Sequence, residues 1–407
     1  MRNSIILIII LLCCSQINIT AQEIAQWRGP DRDGNYPETG LLKQWPVDGP
    51  TMIWHYNELG VGHASAAVTD KYIYTGGTTE DGVGFVVALN HDGQKVWQTN
   101  FGEEWMDNFD GTRSTPLIYN NQLYIMSSFG KLLCINADDG KINWEVDLFN
   151  EYDGRNIKWG VTENLLIDGD ILYVTPGGIK TNILALNKDT GEFIWESPGK
   201  EEVSAYCSPI VINFEGQNIF VTQTASSIIG LEAETGKMLW TYPHPNKWSV
   251  QANTPLYKDG MLYCFSGYGK GGVMLQLSDK GNTVTKVWED VLLDSKMGGA
   301  ILLDGRIYGS GDANKKWVCL DWQTGEVLYQ SDMLKVGNII YADGLLYCYG
   351  TGGKVGIVDP KTNDYNLISS FEVPYGEKWH WAHLVIHNKR LFVRHGTSLM
   401  VYDIADH

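Results

Sequence analysis

The chain has 407 residues, a formal charge of −17, 43% hydrophobic residues and 12% aromatic residues. That hydrophobic content supports a well-cored globular protein and excludes a disordered one. The acidity excludes a binder of phosphate backbones, whose affinity comes from Lys and Arg displacing counterions, so no nucleic-acid partner is expected.

Residues 1–21 read as a secretory signal: Arg2, an apolar run from Ile5 to Cys14, and the small Ala21 before Gln22. The run is too short for a membrane span, so an exported protein is expected, periplasmic or secreted. Cutting there removes only Arg2 among the charged residues and brings the charge to −18. Cys13 and Cys14 suggest an outer-membrane lipoprotein, but Leu12 and Cys13 stand where a lipobox needs a small residue; membrane association is expected only if Cys14 is lipidated. Losing both leaves Cys134, Cys207, Cys264, Cys319 and Cys348, an odd number set in apolar runs such as LLCIN. They read as buried free thiols, and with no CxxC or adjacent pair neither a redox nor a metal site is expected.

Residues 22–50 form an N-terminal arm. Within it WRGPDRDG (27–34) places Asp31, Asp33 and Gly34 as in a calcium loop, yet Leu42 stands where the bidentate Glu belongs, so a surface turn is expected. TMIWHYN (51–57) has the pattern of a closing strand with nothing before it to close.

From there a repeat accounts for the chain. DGQKVW ends at Trp97, DDGKINW at Trp144, DTGEFIW at Trp195, ETGKMLW at Trp240, NTVTKVW at Trp288 and QTGEVLY at Tyr329, a spacing of 41 to 51 residues. That is the length of a four-stranded propeller blade. Upstream strands (KYIYTGG, QLYIMSS, ILYVTPG and five more) and third strands (FVVALN, KLLCINA, NILALN and five more) recur with it. An all-β, eight-bladed β-propeller of four-stranded blades is expected as a single domain over 51–407. The last blade lacks its closing strand, so residues 51–57 are predicted to complete it and fasten the ring.

The signature in INADDGKINWEV and LNKDTGEFIWES resembles the PQQ-type β-propeller repeat of the quinoprotein alcohol dehydrogenase-like superfamily, over essentially all of the chain after the signal. WRGPDRDG resembles the opening of secreted members of this group. The resemblance implies one of two things. Its enzymes bind PQQ with Ca²⁺ using an adjacent cysteine pair, a Trp floor and Glu, Asn and Asp around the metal. Glu163 with Asn164 would then be a fragment of the metal site, and Trp159 or Trp248 of the floor, but the adjacent cysteines are missing after the signal. Its scaffold members, similar in kind to the propeller lipoprotein of the outer-membrane β-barrel assembly machinery, need no cofactor.

The segments leading into the first strand of each blade should form one rim of the central channel. Trp105, Trp159, Trp248 and Trp379 lie in them and would offer stacking surface. His63, Arg113, Tyr206 and His380 align near the channel mouth, with Glu163, Gln251, Lys296, Lys335 and Asn338 within a residue or two. EKWHWAH (377–383) is predicted to be strand-like, which sends His380 and His383 to opposite faces and precludes a shared metal. The expectation is a monomeric, non-catalytic propeller without metal or cofactor, which binds a protein partner or a glycan or other small polar ligand at this rim. A PQQ- and Ca²⁺-dependent alcohol or sugar dehydrogenase is the alternative.

Overall fold

The computed structural model describes residues 23–407; the signal expected over 1–21, with Cys14, lies outside the described residues. Eight sheets make up the ring, each built on four antiparallel strands, and in the first seven blades those strands follow chain order from one edge to the other. Among the described residues helix is confined to the single turns Leu148–Glu151 and Asp279–Gly281. The eighth blade has the order Met52–Tyr56, Ser398–Asp403, Arg390–His395, Val385–His387, so the early strand closes it as predicted, with Trp54 opposite Val401. The two middle strands of each blade are buried on both faces, as in IYTGGT (Ile73–Thr78) or LLYCYG (Leu345–Gly350). Such strands read as continuous apolar runs because sheets stack on either side.

The outermost strands are not simple alternating strands. In every blade the register between third and fourth strand slips, in seven of the eight directly before the aromatic position of the repeat; blade 7 has Ser369 there, and blade 1 slips a second time between Gly84 and Phe85. Trp144 faces Cys134 while Ile142 faces Ile135, which leaves Asn143 as the extra residue of a β-bulge. Ile53, Val96, Ile194, Val287 and Leu328 occupy the same place elsewhere, and all five are exposed. A bulge re-aims the next side chain. Here it turns the indole toward the neighbouring blade.

The arm runs through the ring. Ile24–Ala25 adds antiparallel to the inner strand Leu117–Tyr119 of blade 2, and Asn35–Tyr36 adds parallel to Gly337–Ala342 of blade 7. Between them WRGPDRDG crosses the channel, so it is not the surface turn expected: Asp31 is exposed, but Arg28 and Arg32 are 1% and 4% exposed. Arg32 donates to the carbonyls of Leu165 and Asn164 (both 2.7 Å) and Pro209 (3.1 Å), on blades 3 and 4. Arg28 donates to those of Ala300 (2.6 Å) and Ile339 (3.0 Å), on blades 6 and 7. Burial lowers both guanidinium pKa values to about 10, which keeps them cationic. A planar fork that satisfies several carbonyls at once explains Arg at both positions. Farther along, Leu41 and Trp45 bury in the core shared by blades 7, 8 and 1.

Candidate functional site

At the end of the channel where the inner strands begin, a cavity of about 240 Å³ opens to solvent. Trp27 of the arm lines its inner end, edge-on to His383 at 4.9 Å. Of the predicted residues, His63, Arg113, Trp159, Glu163, Tyr206 and Lys296 line it. Trp248 and Trp379 stand on its rim, 42% and 47% exposed.

The remaining candidates have other work. Trp105 donates its indole N–H to Asn108 and packs beside Phe129. Gln251 and Asn338 are buried; the Gln251 amide donates to the His244 carbonyl, and that of Asn338 to the Trp381 and Ala382 carbonyls, tying blade 7 to blade 8. The exposed Lys335 lays its stem along Gly352.

His380 stacks on His395 at 3.6 Å and bonds the Tyr349 hydroxyl at 2.6 Å, away from the cavity. The two histidines of EKWHWAH do part, but not across a strand, since the strand begins only at Val385. The segment is an irregular loop that sends His383 inward. There His383 meets Arg28 at 3.4 Å and the Met297 carbonyl at 2.9 Å.

Sequence reasoning missed Trp27, Phe109, Tyr268, Trp381 and His383 as cavity residues. Trp381 and His383 lay inside the EKWHWAH stretch, and Trp27 inside the motif read as a turn; only the tertiary course of those loops makes them a site. Phe109 joins the rim aromatics into one cluster, 5.4 Å from Trp381, 6.2 Å from Trp379 and 6.4 Å from Trp159. Trp379 stacks on Trp381 at 5.4 Å, and Trp159 meets Trp248 edge-on at 6.2 Å. Phe109, Tyr206 and Tyr268 all hold positive φ, 63°, 68° and 64°. Bulky residues rarely adopt that conformation, and such strain gathers at functional sites.

The polar groups beneath are of three kinds. His63 is 6% exposed and neither ring nitrogen makes a hydrogen bond; the Trp379 backbone is nearby but outside bonding geometry. Burial, with Arg394 and Arg113 near, pushes its pKa down to about 3, so the ring is neutral. Glu163 is 4% exposed and accepts from the Thr175 N–H (2.8 Å) and hydroxyl (3.1 Å). Burial still pushes its carboxyl up to about 8. Arg113 donates to the Trp159 carbonyl, while its Nε is unpartnered and no carboxylate pairs with it among the described residues.

These donors do not fit a calcium-bound quinone. Calcium takes six to eight oxygens. Glu163 is the one carboxylate in the lining, its oxygens are engaged by Thr175, and no cluster of three His, Cys, Asp or Glu occurs among the described residues. The Asn164 amide is spent on Thr115 (2.9 Å) and Ser208 (2.8 Å). The five cysteines among the described residues are buried free thiols, as expected, and burial raises their pKa values.

Comparison with known proteins agrees with the architecture. A family model described as outer membrane protein assembly factor BamB matches residues 82–331. Quinoprotein alcohol dehydrogenase PedH of Pseudomonas putida is 26% identical over 40% of this chain and 27% of its own length. Outer membrane protein assembly factor BamB of Kangiella koreensis is 24% identical over 51% of this chain and 49% of its own. The matches thus span less than half the length of both relatives. The crystal structure of BamB from Moraxella catarrhalis superposes with a TM-score of 0.62 at 17% identity, covering 87% of this chain and 100% of that one, which shows a shared fold.

Proposed function

We propose, on the premise that the chain belongs to the family described as outer membrane protein assembly factor BamB, that it is an exported, non-catalytic scaffold that holds a protein partner on the aromatic rim of its channel. From the family's name only the partner class is carried over, a protein. The observation that carries the reading is the cluster of Phe109, Trp159, Trp248, Trp379 and Trp381 around the cavity mouth. Exposed aromatics collected in one patch are the usual anchors of protein interfaces.

The polar groups speak against chemistry at the same place. His63 has no acid or base partner, Glu163 is held by Thr175, and the thiols are buried away from solvent. General acid–base or nucleophilic catalysis needs such groups within reach of one another. The competing reading, a PQQ- and Ca²⁺-dependent dehydrogenase, lacks the metal's donors.

The test sets partner capture beside cofactor binding. The purified protein, immobilised, is exposed to envelope extract of the producing cell, and in parallel titrated with PQQ and Ca²⁺ under a dye-linked assay. A stoichiometric protein partner that is lost with Trp248→Ala/Trp379→Ala is the expected result. Saturable tryptophan quenching by PQQ, with turnover of an alcohol or sugar, would overturn the scaffold reading.

A further inference from the structure

The partner's chemistry can be read from the charges on the same rim, and this inference rests on the scaffold reading above. The chain carries a formal charge of −17, so an unpaired cation on its surface should find a carboxylate easily. Two lysines of this rim do: Lys296 pairs with Asp312 at 2.8 Å and Lys378 with Asp110 at 3.3 Å. Three cations at the cavity mouth, unlike the arginines buried behind it, combine contact with the rim aromatics and the lack of an ion pair among the described residues. They are Arg113, Lys158 and Lys247.

Their partners are aromatic faces and backbone. The Lys158 ammonium lies 4.8 Å from the Trp159 ring and 4.6 Å from the Trp248 ring, and the Lys247 ammonium 5.1 Å from Trp248. Cation–π contact holds a charge in place without neutralising it. Below them Arg113 faces the Tyr206 ring at 6.0 Å, bonded to the Trp159 carbonyl with Nε unused. Glu104 sits nearby, but its carboxylate is tied to the backbone N–H groups of Trp105 and Ser128. A largely buried guanidinium without a counter-ion is costly, and the cost is recovered when an anion reaches it. His63, on the same cavity wall, has a ring N–H with nothing to donate to.

We propose that the partner segment seated on this rim is an acidic, aromatic-bearing peptide: one carboxylate enters the cavity to pair with Arg113, flanking carboxylates meet Lys158 and Lys247, and an aromatic side chain packs against Phe109 and Trp381. A nucleic acid or a long anionic polymer is disfavoured because three cations cannot offset repulsion from the rest of the chain. A short acidic segment meets only this stripe.

The test measures fluorescence anisotropy of three labelled twelve-residue peptides with the full protein. They are built from repeats of Glu-Trp-Ser, Gln-Trp-Ser and Glu-Ala-Ser. The Glu-Trp-Ser peptide should bind at least about tenfold tighter than either other, with an affinity that weakens as salt is raised. Arg113→Gln should erase its advantage over Gln-Trp-Ser. Lys158→Gln/Lys247→Gln should reduce that advantage in the same way, and since both lysines are exposed on the surface this variant keeps the test intact if Arg113→Gln misfolds. Equal binding of the Glu-Trp-Ser and Gln-Trp-Ser peptides would overturn the acidic class and leave the aromatic scaffold standing. Equal binding of Glu-Ala-Ser and Glu-Trp-Ser would reduce the site to charge alone and overturn the proposal. Absence of binding by all three would overturn both the proposal and the scaffold reading.

Discussion

Trp144, on the outer strand of blade 2, donates its indole N–H to the carbonyl of Lys188 in blade 3 at 3.1 Å, and its ring covers Gly191 in the same turn. Four other blade boundaries repeat the contact. Trp54 reaches His91, Trp97 reaches Ala137, Trp195 reaches Ala233 and Trp288 reaches Trp322. The turn glycine under each ring has positive φ, and a Cβ there would lie within 3 Å of the indole. The glycine and tryptophan of the repeat therefore serve two adjacent blades, not one.

This predicts unequal costs for glycines with similar backbones. Gly216 (φ +87°) has open space around its Cβ position, whereas a Cβ on Gly191 (φ +73°) would meet the Trp144 ring at 2.9 Å. Gly216→Ala should cost about 1 kcal/mol, the price of a left-handed residue. Gly191→Ala should cost about 3 kcal/mol, because ring displacement adds to that strain. Denaturant midpoints for the two variants check the difference.

The buried arginines of the arm make a second prediction. Arg32→Met leaves three carbonyls of blades 3 and 4 without their donor and should destabilise by about 3 kcal/mol. Arg32→Lys should restore little of this, since an ammonium cannot span the same fork. The measurement is chemical denaturation followed by tryptophan fluorescence.

The blades, their number and the strand that closes the ring were legible in the sequence because each rests on local pattern: a Gly turn, an apolar run, a fixed spacing. The bulge before Trp144 was not, because one extra residue leaves the composition of the strand unchanged. Half of the site was visible for the same local reason. His63, Arg113, Trp159, Glu163, Tyr206 and Lys296 reach the cavity from the segments that lead into the inner strands of blades 1, 2, 3, 4 and 6. His380 broke the analogy, since the segment before Val385 loops instead of extending. Trp27 and the buried Arg28 and Arg32 were beyond reach. Nothing in eight residues of WRGPDRDG says that the carbonyls awaiting them lie more than a hundred residues away.

Stability should depend on pH from two sides. Glu163 has its folded pKa raised to about 8 by burial, so the protonated acid stabilises the fold fully below its ordinary value near 4.5, and that contribution fades as pH rises toward 8. Glu163→Gln should flatten the loss between pH 5 and 8. His383 works oppositely: its folded pKa is lowered to about 3, first by burial and then by Arg28, so its contribution is present above about 6.5 and lost as pH falls. Protonated, it can no longer accept from Arg28. Hydrogen-exchange protection factors across residues 24–36, corrected for the intrinsic rate, should therefore fall between pH 6 and 4, ahead of those of the blades.

The rim tryptophans should matter to binding and not to folding. Trp248 and Trp379 are nearly half exposed, so Trp248→Ala and Trp379→Ala should each shift stability by less than about 1 kcal/mol while weakening partner capture by tenfold or more. Thermal melts and capture yields measured on the same preparations separate the two effects.

The central claim is that this propeller works through the aromatic mouth of its channel, and site-specific photocross-linking tests it most directly. A photoreactive phenylalanine is placed in the producing cell at Trp248 or Trp379 on the rim, or at Asp189 or Glu234 in turns at the opposite ends of blades 3 and 4. Discrete protein adducts from the two rim positions, with none from the other pair, are the predicted result. Adducts confined to Asp189 and Glu234, or none from the rim while the protein remains folded, would contradict the account.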